Sequence, residues 1–497
     1  MAIATLLSLL PCTFGYVRTT RLPPTPRLPA RPAIDPSPGR APLALTPTFP
    51  RTSRVLSHAA KRKTNKRKTQ KLRVPSGRRG FGSSGGGGEG VSPAWAELAA
   101  WVESHGGATE AVELADCGGG LRGLRATRPL RKGELILAIP HSLLYDEASA
   151  ESSPVSQLWK VGRNEQGEGA EGDVEIPLFA RLALGLLYEH RLGDASRMRR
   201  HISQLPLLAE FRQSGPAALW GAEEVAVCEN HQLSQDARRR REGIQAIPLL
   251  SNATLLAQRW RALPLCSAPA DPPTPDEVFW AVACVTSRTL GRAGLVPAAD
   301  FVNHNVPHNA DRGLTPDGGA FALVANRPIA KGEQIFITYG ELPNLMLLSQ
   351  FGFILPSNPI ELTLVCVGPE IAPLLDPQRM RVLPAAFGEG KVSEWQPAGS
   401  QLRLSLDMLA AESHLPSSIV AEAKRLQPCE MSEGTAVYAL LLQRTLETFS
   451  SSEAEGRVEL ETDASMSPRR RMALTFRCEQ QQLLARECAA LEREILA

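Results

Sequence analysis

The spacing of apolar residues divides the chain into stretches of different kinds. "PAWAELAAWVESHGG" puts Trp95, Leu98, Trp101 and Val102 on one face, which predicts a helix ended by Gly106 and Gly107. "GLRGLRATRPLRKGELILAIP" reads as short strands joined by turns, with a turn at Lys132-Gly133 and a strand closed by Pro140. Residues 145 to 295 read as largely helical. Within them, "PLFARLALGLLYEHRLG" (177–193) has a proline start, an apolar stripe and a closing Gly193. "PDEVFWAVACVTSRTL" (275–290) opens with proline and two acids, which suits a helix N-terminus. From 295 the pattern returns to strands, in "GLVPAADFVNH", "AFALVANRPI" and "GEQIFITYG". After 360 a strand-like segment gives way to helices. The last, around 469–496, spaces Met472, Phe476, Leu483, Leu484, Leu491 and Ile495 as a core-facing stripe. No internal repeat is found.

Charge separates the ends of the chain. The 497 residues carry a net +3, yet residues 1–88 hold 17 Lys/Arg and one acid, Asp35, leaving 38 basic and 51 acidic groups in the remainder, a net of −13. An acidic body is not expected to bind nucleic acid. The leader is rich in Arg, Pro, Ser and Thr, a composition that cannot bury a core and matches an organellar transit peptide. Its basic run "KRKTNKRKTQKLR" (61–73) also fits a nuclear signal. A plastid is the favoured destination, with nucleus or cytosol as alternatives. "GSSGGGGEG" (82–90) reads as a flexible linker, so the folded chain is expected from about Pro93. None of the nine cysteines forms a CxxC pair, which argues against a zinc cluster or a disulfide scaffold and for a reducing compartment. No apolar run reaches 18 residues, so no membrane span is expected.

The candidate chemistry lies in three segments. "ADFVNHNVPHNAD" (299–311) sets His304 and His308 four apart, as two metal ligands on a helix face would be. Pro307 between them breaks a helix, and neither an HExxH glutamate nor an obvious third ligand accompanies them. A polar surface turn is the plainer reading. "GGGLRG" (118–123) fits GxGxxG, but Pro129 and the Lys132-Gly133 turn deny the helix that a dinucleotide fold requires. "GEQIFITYG" ends with Tyr339 beside Gly340, and "LPNLMLLSQFGFI" follows with Asn344, Phe351 and Phe353. Each of these alone is more commonly core than site.

In this order, the glycine-bearing strand-turn, a helical insertion, "SR" before "LVPAADFVNH", then "GEQIFITYG" and "NLMLLSQFGFI", the chain resembles a SET-domain methyltransferase. More closely it is similar to the plant and algal group typified by the Rubisco large-subunit lysine methyltransferase. The resemblance implies an α+β fold over 93–358: a SET β-fold with a pseudoknot and an insertion at about 145–280. An all-α substrate-binding domain would follow over 359–497. It implies transfer of a methyl from S-adenosylmethionine to a lysine of a chloroplast protein, such as Rubisco or another stromal enzyme, by a monomer. A non-catalytic SET-fold binding module and a nuclear histone or actin-histidine methyltransferase are the alternatives.

The resemblance also assigns residues. Gly123 and Leu124 would line the cofactor turn, and Asn303 and His304 would contact the cofactor from the pseudoknot. Ser287 precedes Arg288, which would face the cofactor carboxylate; Asp300 stands nearby, and Phe353 would pack on the adenine or channel side. Tyr339 would be the catalytic tyrosine, His308 a loop residue, and no zinc is expected. Phe351 stands where the group commonly has tyrosine, and Gly120-Leu121-Arg122 departs from the usual glycine turn. The hydroxyl lost at Phe351 leaves the number of methyls added open.

Overall fold

The computed structural model describes residues 93–496 apart from 119–120, 161–175, 264–270, 316, 362–364, 368–370, 376–379, 384–391, 396–398 and 427–430. The expected leader, its basic run and the glycine linker lie outside the described residues.

The first helix, α1 (Pro93–Ser104), buries Trp95, Leu98, Trp101 and Val102, the stripe its spacing predicts. The chain then turns into an antiparallel hairpin, β1 (Val112–Asp116) with β2 (Arg122–Ala126), in register from Val112↔Ala126 to Asp116↔Arg122. Gly118 and Leu121 lie in this hairpin's turn. Gly118 takes φ +105°, its N–H donates to Asp116 Oδ1 at 2.8 Å, and Cys117 N–H donates to the Leu121 carbonyl at 2.7 Å. A strand follows the turn, in keeping with the rejected dinucleotide motif.

A second sheet has the order β3-β6-β5, from β3 (Leu135–Pro140), β6 (Ala320–Ala325) and β5 (Ala310–Leu314), all antiparallel. Between β3 and β6 the chain inserts the helical region. Its main helices are α2 (Leu178–Leu192), α3 (His231–Gln245), α4 (Ala253–Arg261) and α5 (Pro275–Arg288). Thr274 and Glu277 form a reciprocal capping box on α5, and Gly193 ends α2 at φ +54°. These helices share a core with Tyr145, Leu184, Tyr188, Trp260 and Trp280, separate from the core of the strands, which includes Leu98, Leu124, Ile139 and Ile337.

Two short strands, β4 (Asn303–His304) and β7 (Phe336–Ile337), pair in parallel, Asn303↔Phe336 and His304↔Ile337. Both are shorter than the sequence pattern predicts. Residues 294–302 do not extend: Ala298 takes φ +65° and Ala299–Phe301 forms a 3-10 turn. Pro297 has no N–H to offer a ladder there. Beside β7 a side chain stands in for a strand. Asn309 Oδ1 accepts from Phe336 N at 2.7 Å, its Nδ2 donates to the Gln334 carbonyl at 2.8 Å, and its own N–H donates to Phe336 O at 3.1 Å.

Helix α6 (Asn344–Phe351) stops at Gly352, in the left-handed conformation at φ +79°. The remaining chain is mostly helical but not all-α. A small sheet of order β8-β10-β9 comes first, from β8 (Val365–Val367), β9 (Met380–Leu383) and β10 (Val392–Trp395). Among the described residues five helices follow: α7 (Gly399–Ala411), α8 (Ser417–Leu426), α9 (Glu433–Glu447), α10 (Glu453–Thr462) and α11 (Pro468–Leu496). In α11 Phe476, Leu484 and Leu491 are buried, as the core reading of that stripe requires. Arg469 pairs with Glu224 at 2.8 Å and Arg477 with Glu229 at 2.5 Å, so α11 is fastened to the helical insertion.

Gly185 tests how tightly that insertion is packed. A Cβ there would meet the Tyr145 hydroxyl at 2.1 Å and its ring at 2.6 Å. Glycine to alanine within a helix ordinarily stabilises by about 0.5–1 kcal/mol. Here the rigid, buried ring cannot give way, and overpacking of this kind costs about 1–3 kcal/mol. Gly185→Ala is therefore expected to lower the denaturation midpoint; a raised midpoint would show that Tyr145 repacks freely.

Candidate functional site

The 3-10 turn at 299–301 and the β4–β7 pair bring the sequence-derived residues to one place. Tyr339, two residues past β7, donates its hydroxyl to the Val302 carbonyl at 2.9 Å, and its N–H donates to His304 Nδ1 at 3.1 Å. Its ring lies 4.8 Å from Phe351, 5.3 Å from His304 and 6.2 Å edge-on from Phe353, centroid to centroid. His304 and Phe353 are also 6.2 Å apart. Four rings from β4, the end of β7 and the end of α6 thus form one aromatic cluster, with offsets that favour edge and tilted contacts.

Burial sets the charge states. It pushes the His304 ring down to about 4, so the imidazole is neutral at ordinary pH. Because Nδ1 accepts from Tyr339, Nε2 carries the proton, and this buried N–H has no partner among the described residues. Burial also pushes the Tyr339 hydroxyl up to about 12, keeping it protonated.

Beside this cluster lies a cradle that only glycine permits. A Cβ on Gly123 would meet Asn303 Nδ2 and Gln334 Nε2, each at 2.6 Å, and Cys117 Sγ at 2.8 Å. Asn303 Nδ2 donates to the Arg122 carbonyl at 3.0 Å, clasping β2 to β4, while the buried Gln334 Nε2 has no partner among the described residues. Leu124 turns its side chain wholly into the strand core, and its carbonyl accepts from Ile335 N at 2.8 Å. Ser287 Oγ donates back to the Ala283 carbonyl of its own helix at 2.6 Å.

Asp300 has its carboxylate fully buried between the His201 ring and the Arg288 guanidinium. His201 Nε2, from the short helix Arg199–Ile202 of the insertion, lies 3.1 Å from Asp300 Oδ2. Arg288 Nη1 donates to the Asp300 carbonyl at 3.1 Å and lies 3.5 Å from Oδ2. Burial pushes the Asp300 carboxyl up, but the His201 ring and Arg288 outweigh it and hold the group below its ordinary range. Arg288 thus spends Nη1 on Asp300, while its Nε, Asp300 Oδ1 and His201 Nδ1 lack partners among the described residues. His308 stands apart in the loop, with Nε2 3.4 Å from Asp311 Oδ1.

Sequence reasoning missed His201, Asn309 and Gln334. His201 meets Asp300 across 99 residues of chain, and nothing local marks such a contact. Asn309 lay inside the histidine segment, but its role as a strand substitute depends on where β7 falls.

Comparison with known proteins agrees with this geometry. Residues 121–340 match the family model of the SET domain, and this part of the chain is a SET domain. Among curated relatives, human N-lysine methyltransferase SETD6 is 44% identical over 62 residues, 12% of this chain and 13% of that protein. The Arabidopsis thaliana protein SET DOMAIN GROUP 40 is 26% identical over 283 residues, 50% of this chain and 52% of that one. The chicken actin-histidine N-methyltransferase is 27% identical over 279 residues, 53% of this chain and 42% of that one. The matches therefore span about half or less of these relatives. The solved structure of Rubisco LSMT bound to AdoMet superposes with a TM-score of 0.51 at 19% identity, covering 82% of this chain and 93% of that one. That likeness is one of fold.

The neutral His304 makes a pH prediction. Its folded value of about 4 lies below the ordinary 6.5. Between those limits the unfolded chain binds the proton and the folded chain does not, so stability falls as pH drops. Acid titration from pH 6.5 to 4 should cost the wild type on the order of 1–3 kcal/mol more than His304→Asn. Equal slopes in chemical denaturation would show that His304 charges within the fold.

Proposed function

We propose that the chain is an S-adenosylmethionine-dependent protein-lysine N-methyltransferase. The observation that carries this reading is Tyr339, its hydroxyl protonated and held by the Val302 carbonyl within an aromatic wall of Phe351, Phe353 and His304. The fit of the cofactor rests on the glycine cradle at Gly123 and the unpartnered buried donors of His304 and Gln334 beside it. Asn303, His304 and the Gly123 backbone would hold it, with Arg288 toward its carboxylate and Phe353 against its base or channel side. When bound, that cofactor supplies an electrophilic methyl group.

The protein's own task is to deliver a neutral amine. Free lysine has a pKa near 10.4, so at pH 7 deprotonation costs about 4–5 kcal/mol, at about 1.36 per unit. An apolar aromatic channel disfavours the ammonium and lowers that cost. Tyr339 cannot serve as a base with its hydroxyl pushed up to about 12. It instead offers lone pairs that orient the amine, and such alignment is worth several kcal/mol. The proposed substrate is a stromal protein such as the Rubisco large subunit. Likeness to an actin-histidine enzyme keeps a histidine acceptor as the second reading.

Labelled methyl transfer from S-adenosylmethionine into stromal protein tests the reaction. The full chain should label a band, and Tyr339→Phe should cut the rate by about 100-fold or more, the scale of losing one oriented hydroxyl at a reacting centre. Hydrolysis of the product should release methyl-lysine; methyl-histidine would favour the second reading. Cofactor binding without labelling of any stromal protein would defeat the proposal. The plastid destination, which the leader's composition supports, predicts that residues 1–90 carry a fluorescent protein into plastids, and nuclear fluorescence would refute it.

A further inference from the structure

We propose that Arg312 reads an acidic side chain of the substrate protein close to the target lysine. This rests on the lysine-methyltransferase reading above and adds to it the chemistry of the substrate's neighbouring residues.

Arg312 sits in β5, opposite Leu323 of β6. Along the strand, Ala310 is buried and Arg312 half-buried, while Asp311 between them is exposed. Arg312 therefore shares the inward face with Ala310. β5 leaves Asn309, whose bonds to Gln334 and Phe336 set it beside the segment that leads to Tyr339. The Arg312 charge also acts on Tyr339 and His304 through space, in keeping with its strand lying beside that segment.

What distinguishes Arg312 is its lack of a partner. Arg181 pairs with Glu147 and Glu151, Arg191 with Glu277, Arg469 with Glu224 and Arg477 with Glu229. Among the described residues no carboxylate or carbonyl answers Arg312, and burial depresses its guanidinium. Partial desolvation of an unpaired charge is costly, and a guanidinium does not escape by losing its proton. Arg312 is thus a half-buried cation on the strand that leaves Asn309, near a site that must accept a neutral amine. It repels the protonated lysine and offers a planar fork to a carboxylate. A substrate carrying Asp or Glu beside the lysine supplies that carboxylate on docking. In a body of net −13, such a substrate needs a local cation to approach.

The test uses the full chain, labelled S-adenosylmethionine and a peptide library with a central lysine and randomised flanks. Methylated products are sequenced by mass spectrometry. Wild type should enrich Asp or Glu at one or two fixed positions. Arg312→Gln should lose about tenfold in kcat/KM on the acidic peptide, mainly through KM, and little on its Gln or Asn counterpart. Arg312→Glu should invert the preference toward Lys or Arg at the same position, a change that a folding defect does not produce. No acidic preference in wild type, or a preference that survives Arg312→Gln, overturns the proposal. So does an equal loss on acidic and neutral peptides with a raised KM for S-adenosylmethionine, which would assign Arg312 to the cofactor carboxylate. If wild type labels neither library nor stromal extract, the lysine-methyltransferase reading itself falls and this proposal with it.

Discussion

The site depends on a clasp between two stretches of chain that are distant in sequence. Two residue pairs of parallel strand are a weak join by themselves. Asn309 adds three hydrogen bonds to the 334–336 segment, and Tyr339 closes the far end through His304 and the Val302 carbonyl. A typical hydrogen bond contributes only about 1 kcal/mol net, but leaving a buried one unmade costs about 1–3. In this buried place the bonds therefore form together or fail together. The same clasp orients the Tyr339 ring, so the integrity of the strand pair and the geometry of the aromatic cluster are one property.

Asp300 gives the clasp a second connection, to the helical insertion. Leaving a buried carboxylate without its hydrogen-bonding and charged partners is strongly destabilising. Asp300 therefore requires both His201 and Arg288, and His201 belongs to the insertion. The insertion has its own core of Tyr145, Tyr188, Trp260 and Trp280, and α11 is salt-bridged to it through Arg469 and Arg477. A chain of contacts thus runs from the C-terminal helices through the insertion to the turn that carries Asp300. The position of Arg288 is set by this buried anion as much as by its own helix.

The elements legible in the sequence were those fixed by local periodicity. The stripe of Trp95, Leu98, Trp101 and Val102, the proline and acids that start α5, and Gly193 after α2 each act within a turn or two of helix. The aromatic and Asn-His positions were legible through resemblance, because they recur in order along the chain. The shortness of β4 and β7 was not legible, since it follows from Pro297 and from the Asn309 side chain taking a strand's place. The sheet within the mostly helical C-terminal region was only half foreseen, as one strand-like segment rather than three strands. His201 and Arg312 escaped notice because their meaning lies in a partner: one found across the fold, the other missing among the described residues.

The polarity of the aromatic wall bears on how many methyl groups such a site would tolerate. Tyr339 spends its proton on the Val302 carbonyl, so toward the cluster it presents an acceptor. Phe351, 4.8 Å away, adds none. With one acceptor, an amine nitrogen is oriented through one N–H, and its other substituents face carbon. Replacing those remaining hydrogens by methyl groups removes no hydrogen bond and adds apolar contact. A second hydroxyl in place of Phe351 would hold another N–H and disfavour its replacement. Under the proposed reaction the Phe351 position therefore favours continued methylation of one lysine, limited by the volume between Phe351 and Phe353 rather than by hydrogen bonding.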